Sequence, residues 1–272
     1  MGLRALAVLL ALGWSCSASA YKVDQHGTIT QKAGERLAVC VPDWKQAWTD
    51  RLEKGNVAQD SYSIERAVNW HFYDGGDALR TGMFFHRNLH RAYRKRKLTL
   101  DRRLSKERKL EAIVFSTGAV LHYIQDMSVP LHVVPVFHVT GAPFENTEYD
   151  DSELPAGLDC DALLARVEAV EKQCDGFSRC VAQNVLEQSA QVTVVATREW
   201  PSHWVANGSD GCLDGQRQGH GAQKVGFGCH GDTLWGEGDP QGEAAFFTER
   251  YLQAVDASLV MMLYMHRRLA NQ

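Results

Sequence analysis

Residues 105–127 read SKERKLEAIVFSTGAVLHYIQDM. Within them Leu110, Ile113, Thr117, Leu121 and Ile124 recur at steps of three and four, the period of one helix face rather than the two-residue alternation of a strand. The stretch from Glu243 to Leu269 repeats the pattern with Phe247, Tyr251, Val255, Leu259, Met262 and His266. Four more segments carry helical patterning: Thr28 to Val39, Gly75 to Lys97, Cys160 to Gln173 and Cys180 to Arg198. No sustained period-two alternation argues for a sheet, so the expected fold class is all-α. The 272 residues suffice for one sizeable core, and a composition of 44 % hydrophobic and 23 % charged residues excludes a disordered chain. We therefore expect a single compact multi-helix domain.

The amino terminus precedes that domain. Arg4, the apolar run Ala5 to Leu12 and the small residues Ala18-Ser19-Ala20 have the layout of a secretory signal peptide over residues 1–20. Cleavage would leave a mature chain of 21–272 beginning at Tyr21, without a transmembrane segment, extracellular or periplasmic. Loss of Arg4 takes the net charge from −4 to about −5, so global charge does not announce a nucleic-acid binder. Apart from Cys16 there are six cysteines: Cys40, Cys160, Cys174, Cys180, Cys212 and Cys229. An even count in an exported chain suggests disulfides, while the lack of any CxxC argues against zinc–thiolate binding. From Asn207 to Gly242 the chain is Gly-dense and poor in apolar residues, and we expect a surface loop stapled by Cys212–Cys229. Between Arg91 and Lys109 stand ten Lys or Arg residues, a run that suits phosphate-bearing partners or simply a solvated face.

The densest chemistry lies in His122-Tyr123-Ile124-Gln125-Asp126-Met127-Ser128-Val129-Pro130-Leu131-His132. His122 and Asp126 stand one helical turn apart on one face, and Pro130 is expected to end the helix and turn His132 toward the same cavity. Imidazole nitrogen and carboxylate oxygen are donors that zinc favours. Taken alone, an HxxxD pair reads first as a buried hydrogen-bonded pair without metal. The extended pattern H-Y-x-x-D-x-x-x-P-x-H closely resembles the signature of the zinc-dependent phospholipases C and the related single-strand-specific nucleases.

That resemblance implies a ligand set distributed along the chain. In the family the mature terminal residue binds metal through its own amine and carbonyl, which would make Tyr21 a ligand with His26 five residues on; the family commonly has Trp there. Asn69-Trp70-His71-Phe72-Tyr73-Asp74 resembles the phospholipase segment and implies His71, and Val57-Ala58-Gln59-Asp60 implies Asp60, at a spacing shorter than usual. After His132 the family places His-x-x-x-Glu or His-x-x-x-Asp, which this chain lacks; His138 and Glu145 are the implied substitutes, with Glu148, Asp150 and Asp151 open as alternatives. The implied centre holds three zinc ions, at least two. One would be held by Asp60, His71, His122 and Asp126, one by His132, His138 and Glu145, and one by Tyr21, His26 and a bridging Asp126.

The implied activity is hydrolysis of phosphodiester bonds by a metal-bound hydroxide, with Asp60 also the catalytic base that orients the water. His-Phe-Tyr-Asp and Asp24 favour a phospholipase C acting on phospholipid headgroups, with peripheral membrane contact and a monomeric chain. The Tyr21 to His26 step and the basic run favour the alternative, a nuclease for single-stranded DNA or RNA. A non-catalytic zinc-binding exported protein is the third reading. His86, His90, His203, His220, His230 and His266 match no part of the pattern.

Overall fold

The computed structural model describes residues 23–59, 110–133, 154, 157–175, 178–199 and 240–270. These form α1 (Val23–Cys40), α2 (Gln46–Val57), α3 (Leu110–Asp126), α4 (Pro130–Val133), α5 (Cys160–Gln173), α6 (Ser178–Glu199) and α7 (Pro240–Ala270), with no strand among the described residues. The expected all-α class holds for them. None of these helices is long and apolar enough to cross a membrane. The expected helix over Gly75 to Lys97, the basic run, the signal segment 1–20 and residues 207–239 of the expected stapled loop lie outside the described residues; the last three residues of that loop, 240–242, belong instead to α7.

α7 and α3 make the centre. Every residue of α7 from Ala257 to Met265 is buried, and so is every residue of α3 from Ser116 to Asp126. A helix apolar on one stripe needs one neighbour, whereas a helix buried all round must be packed on every side. α7 accordingly packs on α1, α3, α5 and α6, and α3 on α2 and α7. Ile113, Leu121 and Ile124 are fully buried, each burial contributing about 1.5–3 kcal/mol. The same all-round burial carries five polar side chains of α3 into the interior, Ser116, Thr117, His122, Gln125 and Asp126.

α2 has no counterpart among the sequence expectations. Its buried face consists of Thr49, Leu52, Gly55 and Asn56, which has helical spacing but only one large apolar residue, so hydrophobic periodicity does not register it. Two glycines explain how closely it approaches α3. A methyl group on Gly118 would overlap the Leu52 carbonyl oxygen, and one on Gly55 the Phe115 carbonyl oxygen. Backbone meets backbone at that crossing. Gly118→Ala should therefore destabilise the protein by about 1–3 kcal/mol despite the better helix propensity of Ala. An unchanged denaturant midpoint would show that the crossing has slack.

Pro130 does not end α3, contrary to expectation. The helix stops at Asp126, and Met127, Ser128 and Val129 donate their amides to Ile124, Gln125 and Asp126 in a tightened last turn. Pro130 instead begins α4, where its missing N–H costs no hydrogen bond. α5 starts on an Asp159 cap that accepts from the Ala162 amide at 2.9 Å. It ends beside Asp175, whose φ of 49° is a left-handed conformation that Asp tolerates better than most residues.

Two disulfides tie the helices: Cys40–Cys160 joins the end of α1 to the start of α5, and Cys174–Cys180 closes the α5–α6 connection. Arg166 on α5 and Asp256 on α7 form a bidentate pair at 2.6 and 2.7 Å. Its hydrogen bonds and charge hold the guanidinium above its ordinary pKa. Half exposed, that pair contributes at most about 1 kcal/mol. His266, unmatched in the sequence pattern, packs near Trp44 and Trp48 and lies 3.2 Å from Asp43, between α7 and the α1–α2 connection.

Candidate metal centre

His26 sits in the second turn of α1, which starts five residues earlier than the sequence pattern suggested. It faces the last turn of α3, where His122 and Asp126 stand on one side of the helix as their spacing required. His26 Nε2 lies 3.3 Å from Asp126 Oδ1, and His122 Nε2 lies 3.3 Å from Asp126 Oδ2. The carboxylate thus divides its two oxygens between two imidazoles. The rings are tilted 34° with centroids 4.3 Å apart, and Tyr123 packs edge-on against His122. His26 and Asp126 are fully buried and His122 is 1 % exposed.

Burial decides the chemistry of this group. An ionised carboxylate in the interior is costly unless positive charge accompanies it, and two imidazoles supply lone pairs as readily as protons. One donor atom from each residue can be chosen so that all three lie within 4.8 Å of one another, and the group could hold a metal ion. His132 is also buried, on α4, but does not belong to this group. Tyr21, Asp60, His71, His138 and Glu145 lie outside the described residues, as do the alternative carboxylates Glu148, Asp150 and Asp151.

Behind the group lies a set of polar residues that the sequence reading did not single out. Gln125 Oε1 is 2.7 Å from His26 Nδ1 and accepts from Asn56 Nδ2 at 2.9 Å. Gln125 Nε2 donates to Thr30 Oγ1 and to Ser258 Oγ, each at 3.1 Å. All four, from α1, α2, α3 and α7, are fully buried. The available signal was their polarity inside otherwise apolar helix faces: Thr30 beside Ile29 and Ala33, Gln125 beside Ile124, Ser258 beside Leu259.

No protein-family model matches the chain, and no curated protein and no solved structure matches it significantly.

Proposed function

We propose that the protein is an exported zinc-dependent phosphodiesterase, a phospholipase C, in which Asp126 bridges ions held by His26 and by His122. One observation carries this reading: residues taken from two distant parts of the chain on the strength of a sequence pattern converge in one buried His–Asp–His group. Neighbouring ligands of a tetrahedral zinc at about 2.0–2.1 Å stand about 3.3 Å apart. Both Nε2–Oδ separations are 3.3 Å. Two imidazoles and a carboxylate are also the donor types zinc prefers over magnesium or calcium. The two disulfides suit an oxidising compartment, in keeping with export.

When bound, zinc supplies Lewis acidity, acidifying water and neutralising charge on a phosphodiester. The chain's own part is positional. α1 and α3 hold the imidazoles and the carboxylate in a buried position, where electrostatic interactions are stronger than in bulk water. Asp60, His71 and Tyr21 complete the proposed ligand set, with Asp60 orienting the water; His132, His138 and Glu145 form the proposed second cluster.

The test is a zinc titration of the chelated full-length mature chain, with hydrolysis of phosphatidylcholine vesicles and of single-stranded DNA measured side by side. We expect two or three zinc ions per chain and release of the phosphorylated headgroup. Fewer than one ion per chain would overturn the metal reading. Cleavage of DNA alone would move the protein to the nuclease branch, and zinc without either activity would make it a binding protein.

A further inference from the structure

We infer that Gln125 is a positioning residue that locks His26 into the Nδ1–H tautomer, leaving the Nε2 lone pair facing Asp126. The cause is hydrogen-bond valence in the four-helix network; only its consequence for zinc rests on the function proposed above.

The deduction starts at Thr30. Its hydroxyl has one hydrogen and two lone pairs, and three partners surround it: the His26 carbonyl oxygen at 2.8 Å, Asn56 at 2.9 Å and Gln125 at 3.1 Å. A carbonyl oxygen only accepts, so the single hydrogen goes to His26 O. Both amides must then present their NH2 groups to Thr30. Ser258 repeats the constraint, because its hydroxyl donates to the Ala254 carbonyl at 2.8 Å and so accepts from Gln125.

With its NH2 group committed to Thr30 and Ser258, Gln125 turns Oε1 toward Asn56 Nδ2 and His26 Nδ1. Rotating the Gln125 amide would set its one oxygen against the Thr30 and Ser258 hydroxyl oxygens, whose hydrogens are already committed, and its NH2 group against that of Asn56. The network tolerates one orientation only. An amide oxygen 2.7 Å from Nδ1 requires the imidazole hydrogen on Nδ1. In the neutral ring Nε2 then carries a lone pair 3.3 Å from Asp126 Oδ1. Two electron-rich atoms at that distance favour a cation, and Gln125 thereby prepares His26 as a ligand before any metal arrives.

The test reads the imidazole nitrogens directly. In metal-free wild-type protein, at a pH where the His26 ring is neutral, 15N NMR should find Nδ1 protonated and Nε2 bare; the hydrogen on Nε2 instead of Nδ1, or an even mixture of tautomers, would overturn the inference. Gln125→Met keeps length and removes the acceptor. It should release the tautomer and weaken zinc binding about tenfold to a hundredfold. Gln125→Glu restores an oxygen opposite Nδ1 and should return the hydrogen to Nδ1, at a cost in stability because its second oxygen meets Thr30 and Ser258. If Gln125→Met fails to fold, the wild-type spectrum still decides. Unchanged tautomer and affinity in a folded Gln125→Met variant would also overturn the inference. A wild-type chain with the lock but no zinc affinity would refute the metal reading and leave the lock standing.

Discussion

Asp126→Asn is expected to abolish zinc binding and phosphodiester hydrolysis together. Asp126 is the one residue of the buried group that touches both imidazoles, and Asn offers a single neutral oxygen where the carboxylate offers two charged ones. The fall in zinc affinity should be on the order of a hundredfold or more, above that caused by loss of a residue which merely supports a ligand. Stability separates this from misfolding. Removing an ionised carboxylate from the interior relieves its desolvation, so the metal-free variant should be at least as stable as metal-free wild type. With zinc about a hundredfold above Kd, wild type should gain about 2.7 kcal/mol and the variant nothing. His122→Ala should likewise lose zinc and turnover. Full activity in either variant would show that the group is a hydrogen-bonded cluster of the core and no part of a reaction centre.

The second large effect concerns the Cys40–Cys160 bridge, which spans 120 residues of sequence. Closing a loop of that length removes so much entropy from the unfolded chain that the double variant Cys40→Ala/Cys160→Ala should lose roughly 5 kcal/mol. The Cys174–Cys180 bridge spans six residues and should contribute roughly 2 kcal/mol. That contrast tests the cause as well as the size. Denaturant unfolding of the two double variants measures it, and equal losses would mean that contacts in the folded state, not loop length, set the contribution. A total of 5–15 kcal/mol is usual for a domain, so the longer bridge is a large part of the margin.

Much of the fold was legible in the sequence where apolar residues carry the pattern. α3, α5, α6 and α7 lie close to their expected bounds because Leu, Ile, Val and aromatic residues mark their buried faces. α2 was not legible, since Thr49, Gly55 and Asn56 are buried there for close approach and hydrogen bonding rather than for hydrophobicity. Pro130 misled for a related reason: a proline disfavours helix before it but suits the first turn of a new one, and local sequence does not choose between these. His122 and Asp126 could be paired from spacing alone, because one helix turn fixes their relation. His26 lies 96 positions before His122 and was chosen only through the family resemblance. Gln125 escaped notice because its role is defined by Thr30, Asn56 and Ser258 on three other helices, and no pattern along one segment encodes that.

The glycine crossing of α2 and α3 has a consequence beyond stability. Gly118, His122 and Asp126 follow one another at single turns along α3, so the point where Leu52 bars any side chain lies on the same stripe as the two candidate ligands. Sliding α3 by one residue would carry both ligands about 1.5 Å along the axis and about 100° around it, away from His26. Steric exclusion at Gly55 and Gly118 thus acts as an indexing stop, setting the phase of α3 to within a fraction of a residue. The address of the buried His–Asp–His group is written partly in two residues that have no side-chain atoms of their own.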